Sequence, residues 1–294
     1  MEIQTTPIVH IHDPLFEEKG VELWMKREDQ NHPIVSGNKW RKLKYNLIEA
    51  KNQSHQKLLT FGGAYSNHIY AIAGAGKELD FETIGVIRGE EHAELNPTLS
   101  FAKAQGMHLH YMDRSTYRQK ESEEVINLLK QVYGNFYLIP EGGANELALK
   151  GCAELAEEID LDYNFLCCPV GTGGTLAGLI LGARGSGQLL GFSALKGDFL
   201  QKEVDNLLKK STKIYNNWSI TDQYGFGGYA KVKPELLKFM SEFEEKQGIL
   251  LEPIYTGKMM YGIYEMVRAG KFKEGSKIVA IHTGGLQGRA GFGL

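Results

Sequence analysis

The sequence predicts an α/β protein built on a mostly parallel, doubly wound sheet, and three observations predict it. From about residue 57 onward, apolar runs of strand length alternate with longer stretches of helical period. Several strand runs are apolar throughout, as strands covered by helices on both faces are. Glycine clusters stand between a strand run and the helix that follows, where the chain must turn sharply or approach a ligand closely. In order, LLTF (58–61) reads as strand and is closed by Gly62-Gly63. SNHIYAIAGAGKEL (66–79) reads as helix, TIGVIRG as strand, NPTLSFAKAQG as helix, MHLHYM as strand, ESEEVINLLKQVYG as helix and FYLIP as strand. The alternation continues through ANELALKGCAELAEEID (helix), FLCCPV (strand), TLAGLILGARG (helix), LLGFSAL (strand) and PELLKFMSEFEEKQG (helix). It ends with ILLEPIY (strand), MMYGIYEMVRAGKF (helix) and KIVAIHTGG (strand). Ligands of such a fold belong at the carboxyl ends of the strands. Residues 211–233 form the one long stretch without period, and long irregular segments are often functional.

The 294 residues allow one large domain or two ordinary ones. With 33 Lys+Arg against 36 Asp+Glu, the formal net charge is -3, so nucleic acid and anionic membrane are excluded as main partners. A 42% hydrophobic content with mixed charge excludes general disorder. Cys152, Cys167 and Cys168 are too few and too badly spaced for a disulfide framework, and read as small buried residues in a reducing compartment rather than as metal ligands. The N-terminus lacks the basic and apolar regions of a signal peptide, and no apolar run approaches the roughly 20 residues that span a bilayer. The expectation is a cytoplasmic protein.

Three motifs can carry chemistry. GTGGT, Gly171, Thr172, Gly173, Gly174 and Thr175, follows the FLCCPV strand and opens a helix. Its glycines let successive amides converge on an anion, and the helix start adds partial positive charge. It is neither a Walker A loop nor G-x-G-x-x-G, because no Gly-Lys-Ser/Thr follows and Leu176 stands where the third Gly belongs. SGNKWRKLKYN (36–46) places Lys39 just before a helix. Lys39, Arg41, Lys42 and Lys44 read either as a solvated basic face or as surroundings of an amine nucleophile, Lys39, able to bind a carbonyl cofactor once desolvated. GGAYSNHIY (62–70) puts Ser66, Asn67 and His68 at another helix start, as an ordinary cap, as donors to a bound carboxylate, or as both. His282 reads as pocket wall or strand end, and the EGGAN loop (141–145) as a close-approach surface.

SGNKWRKLKYN, GGAYSNH, GTGGTLAGL, EPIYTGKMMYGI and HTGG, in that order from residues 13–19 to Gly285, resemble the pyridoxal-phosphate enzymes of fold type II, in the branch of 1-aminocyclopropane-1-carboxylate (ACC) deaminase and D-cysteine desulfhydrase. The resemblance implies two doubly wound, mostly parallel sheets: a larger cofactor domain of residues 1–46 and 147–294 and a smaller domain of 47–146. It implies pyridoxal 5'-phosphate as cofactor, no metal, and a homodimer. Lys39 would be the lysine that carries the cofactor and the base at the substrate α-carbon. Gly171 to Thr175 would hold the phosphate, and Asn67 the ring hydroxyl. Ser66, with Asn67 and His68, would bind the substrate carboxylate, and Ser66 would assist proton transfer. Tyr255 and Tyr229 match the family's active-site tyrosines. Thr256 would sit against the pyridine nitrogen, where the family's cyclopropane deaminases carry Glu. A neutral hydroxyl there makes a weaker electron sink, sufficient for loss of thiolate. The expected reaction is therefore β-elimination from a small amino acid such as D-cysteine. The alternatives are ACC deamination, β-replacement as in cysteine synthases, and a weakly active cofactor-binding protein. A nucleotide-binding Rossmann protein is disfavoured by the missing third Gly.

Overall fold

A computed structural model describes residues 3–91, 93–209, 211 and 213–294. The strands are β1 (Ile8–Ile11), β2 (Glu22–Lys26), β3 (Lys57–Gly62), β4 (Glu82–Arg88), β5 (His108–Met112), β6 (Tyr137–Ile139), β7 (Phe165–Val170), β8 (Gln188–Ser193), β9 (Trp218–Thr221) and β10 (Lys277–Ile281). The helices are α1 (Pro14–Glu18), α2 (Asn38–Asn52), α3 (Asn67–Leu79), α4 (Pro97–Ala104), α5 (Arg114–Tyr117), α6 (Glu123–Tyr133), α7 (Glu146–Glu157), α8 (Gly174–Ala183), α9 (Phe199–Leu208), α10 (Pro234–Gln247) and α11 (Thr256–Arg268). They build two sheets, one of six strands in the order β1-β2-β10-β7-β8-β9 and one of four in the order β5-β4-β3-β6. All strand pairs are parallel except β1 with β2.

Both sheets are wound on both faces, and the side-chain alternation shows it. Ile278 and Ala280 of β10 enter one buried cluster, while Val279 and Ile281 enter another. In the smaller sheet Leu58 of β3 and Ile87 of β4 face one cluster, and Leu59, Phe61, Ile84 and Val86 face the other. A strand's period of two delivers alternate residues to opposite faces, so a run buried on both sides must be apolar throughout. Cys167 and Cys168 of β7 sit in these clusters, and Cys152, Cys167 and Cys168 are all buried and unpaired.

Three stretches differ from expectation. ILLEPIY (249–255) is not a strand. The Glu252 carboxylate accepts amides from Ile254, Tyr255 and Thr256 at 2.9, 2.8 and 2.6 Å, which bends the chain into the start of α11. The run looked strand-like because Ile249, Leu251 and Ile254 are buried. The first 35 residues, which carry no period of their own, supply the antiparallel edge pair β1 and β2. The irregular segment 211–233, with residue 212 outside the described residues, contains the edge strand β9.

Candidate active site

A cavity of about 740 Å³ opens at the carboxyl ends of β3, β4, β6, β7 and β10. Lys39 enters it from the first turn of α2. The fold clamps that turn from two sides. Gly37 has φ 66, and a Cβ there would stand 1.9 Å from the Thr283 carbonyl oxygen, so glycine is required on both counts. Its amide donates to Glu28 O and Asn31 Oδ1, and the Asn38 amide to Thr283 O. One turn on, the buried Arg41 guanidinium bridges Glu28, itself fully buried, and Glu158. Of the basic run, then, Arg41 and Lys42 are buried and Lys44 pairs with Glu154 at 2.6 Å. The solvated-face reading does not hold for Arg41 and Lys42.

Lys39 Nζ donates to Asn38 Oδ1 at 2.7 Å, and Asn38 Nδ2 donates to Thr175 Oγ1 at 2.9 Å. Asn38 thus ties the lysine to the glycine loop. Burial, and then the neighbouring Lys42 charge, lower the Lys39 pKa to about 7. Burial lowers that of Lys42 as well.

Gly171 to Thr175 form a cradle beside Lys39, linked to it through Asn38. Gly173 caps α8 with φ 80 and no side-chain hydrogen bond. A Cβ on Gly171 would meet the Tyr255 ring at 3.0 Å, and one on Gly174 would lie 3.2 Å from Ala144 and 3.5 Å from Lys42 Nζ. Lys42 Nζ reaches Gly142 O at 3.0 Å and Thr172 Oγ1 at 3.4 Å, so an ammonium hangs over the loop. Gly142, in the EGGAN loop, packs on Thr172, where a Cβ would find 2.7 Å.

At the third corner, Ser66 caps α3 by accepting from the amides of His68 and Ile69 at 3.2 and 3.3 Å. Asn67 lines the cavity, and its Oδ1 accepts from Gln287 Nε2 at 2.9 Å, so the C-terminal segment fixes its amide. His68 is buried; its Nε2 meets Thr60 Oγ1 at 2.9 Å, while its Nδ1 has no partner among the described residues. Burial and the charges of Lys39 and Lys42 push its pKa well below the usual value, so it is neutral.

Tyr255 and Tyr229 face each other across the cavity edge, ring centroids 6.3 Å apart. Burial raises both phenol pKa values, and each keeps its proton at neutral pH. Thr256 does not line the cavity. It is fully buried behind Tyr255, and its Oγ1 accepts from the Glu252 amide at 3.0 Å and lies 3.2 Å from the Glu252 carboxylate. His282 also stays outside. Its Nε2 donates to Leu250 O at 2.7 Å and its Nδ1 accepts from the Gly284 amide, which shapes the Thr283-Gly284 wall.

Sequence reasoning missed Asn38 and the role of Lys42. Lys39 and Lys42 are three apart on one helix face, a spacing that could have paired them. It also missed Arg88 and Lys120, which line the cavity with Glu141 of the EGGAN loop, Lys120 standing 3.3 Å from that carboxylate. These come from separate elements and have no common motif.

Comparison with known proteins agrees with this geometry. Residues 1–284 match the family described as pyridoxal-phosphate dependent enzyme. A protein of Pyrococcus horikoshii named putative 1-aminocyclopropane-1-carboxylate deaminase is 32% identical, over 98% of this chain and 91% of its own length. The mitochondrial bifunctional D-cysteine desulfhydrase/1-aminocyclopropane-1-carboxylate deaminase of Arabidopsis thaliana is also 32% identical, over 97% of this chain and 79% of its own. A crystal structure of an ACC deaminase homologue superposes with TM-score 0.86 at 31% identity, covering 99% of this chain and 92% of the other. The chain belongs to the pyridoxal-phosphate dependent enzymes, and its two mostly parallel sheets are those of fold type II.

Proposed function

We propose that this pyridoxal-phosphate dependent enzyme catalyses β-elimination from a small amino acid. D-cysteine and water would give pyruvate, sulfide and ammonia. The residues fit the cofactor. At Gly171, Gly173 and Gly174 the loop is tight even for a Cβ, and α8 starts without a capping side chain, so its first amides are left for a phosphate. The Lys42 ammonium adds a charge beside them. Lys39, with a pKa near 7, has a reactive neutral fraction at neutral pH for the cofactor's aldehyde. When bound, the cofactor supplies an electron sink. Lys39 then holds or moves the proton at the substrate α-carbon. Ser66, Asn67 and His68 orient the carboxylate at the start of α3. Asn67 would hold the ring hydroxyl end, and Thr256, outside the cavity behind Tyr255, would act on the ring-nitrogen end only through that wall. Tyr255 and Tyr229, both protonated, line the same cavity as Ser66 and can donate to the substrate's leaving group.

One observation favours elimination of thiolate: residue 256, behind the cavity wall, is a neutral Thr whose hydroxyl is engaged by Glu252, so this position offers the ring nitrogen no carboxylate. Relatives named ACC deaminases support the second reading, in which ACC and water give 2-oxobutyrate and ammonia. Incubating the protein with D-cysteine, L-cysteine, D-serine and ACC, and identifying the keto acid, separates the two: pyruvate from D-cysteine is expected, and 2-oxobutyrate from ACC alone would replace this reading with the second. The enzyme would comprise two lobes, 1–46 with 147–294 and 47–146, and work as a cytoplasmic homodimer. Among the described residues no helix is long and apolar enough to cross a membrane.

A further inference from the structure

Lys258, in the first turn of α11, is 2% exposed. Its Nζ donates to Gly225 O at 2.9 Å and to Gly228 O at 2.8 Å, and among the described residues it forms no ion pair. Burying an ammonium without a paired carboxylate is costly, so the two carbonyls must matter to the fold of what carries them. They belong to a strained turn. Phe226, Gly227, Gly228 and Ala230 have φ 53, 95, 120 and 55, and two of these carry side chains in the left-handed region. Each carbonyl already accepts one turn amide: Gly228 N donates to Gly225 O at 3.0 Å and Lys231 N to Gly228 O at 3.1 Å. The ammonium takes the second lone pair of each. Tyr229 sits within this turn and faces Tyr255.

We propose that Lys258 is a positioning residue that holds the strained turn Phe226–Ala230 and thereby presents Tyr229 to the cavity. Tyr255 caps the helix that carries Lys258, so one helix start sets both tyrosines. Strained turns persist only where their surroundings over-determine them, and here the ammonium supplies that constraint. Amide hydrogen exchange on the protein without substrate tests this. In Lys258→Met the amides of residues 225–231 should exchange about tenfold faster or more, with the interiors of α10 and α11 unchanged. Lys258→Gln, which keeps one donor group, should fall between parent and Lys258→Met, and it serves if Lys258→Met does not fold. A second arm rests on the elimination reading: Lys258→Met should lower kcat for D-cysteine in the parent, but by less than about twofold once Tyr229→Phe is present, because the two residues act as a unit. Unchanged protection of 225–231, a uniform loss of protection across the fold, or equal kcat losses in both backgrounds overturns the proposal. If D-cysteine is no substrate, the exchange arm still decides.

Discussion

The two helix starts that flank Lys39 are built by opposite rules. At α3 the corner is closed: Ser66 accepts the amides of His68 and Ile69, so the helix supplies its own acceptor in a neutral hydroxyl oxygen. At α8 the corner is open. Gly173 has no side chain, its φ is 80, and the nearest cation, Lys42, arrives from another helix. A capped helix start is stable alone and leaves side chains to recognise a ligand. An uncapped one leaves backbone donors unsatisfied until an anion arrives. In this account the first reads the substrate carboxylate and the ring edge through side chains, and the second holds the cofactor's phosphate.

Substitutions at the open corner should have the largest effects. Gly173→Val would force a β-branched residue to positive φ and place a Cβ 2.9 Å from Val204. Affinity for pyridoxal phosphate should fall on the order of 100-fold while circular dichroism keeps the fold, since the side chain blocks backbone donors. Equal affinity in the variant would make the two corners alike and break the comparison.

Lys42→Met should cost less, on the order of tenfold to thirtyfold in cofactor affinity, as loss of one charge-assisted contact does. It should also move a titration. Lys39 attacks the cofactor as the neutral amine, so the rate of cofactor uptake by the apoprotein should rise with pH through about 7 and level above it. Removing the Lys42 charge removes one cause that lowers the Lys39 pKa, so the midpoint should shift to higher pH. A rate that falls with pH, or a midpoint that stays put in Lys42→Met, would contradict the pairing of the two lysines.

The smallest effect belongs to the closed corner. Ser66→Ala removes the cap and should lower stability by about 1 kcal/mol, seen in urea unfolding. It should raise KM for the amino acid and leave cofactor affinity unchanged. A loss of cofactor affinity comparable to that of Lys42→Met would erase the division of labour between the corners.

What was legible in the sequence follows the same division. The open corner is written in backbone, and glycines after an apolar strand announce it without knowledge of the rest of the fold. Lys39 was legible because Gly37 and Asn38 precede it in a recognisable motif. The packing of each sheet between helices on both faces was legible from strands apolar throughout, such as FLCCPV. What could not be read depends on long-range contacts between side chains. Lys42 looked like one charge in a basic run until α2 was seen to pack beside the glycine loop. The Glu252 turn looked like a strand because burial makes Ile249, Leu251 and Ile254 apolar whatever their backbone does. Gln287 reaches Asn67 across 220 positions, a distance no local pattern spans.

The central claim is that Lys39 carries the cofactor between these two corners. The direct measurement is borohydride reduction of the protein loaded with pyridoxal phosphate, followed by peptide mapping. A yellow protein that loses its visible absorbance on reduction is expected, with a single modified peptide carrying the adduct on Lys39. An adduct on Lys42 or Lys44, or no chromophore after loading, would contradict it.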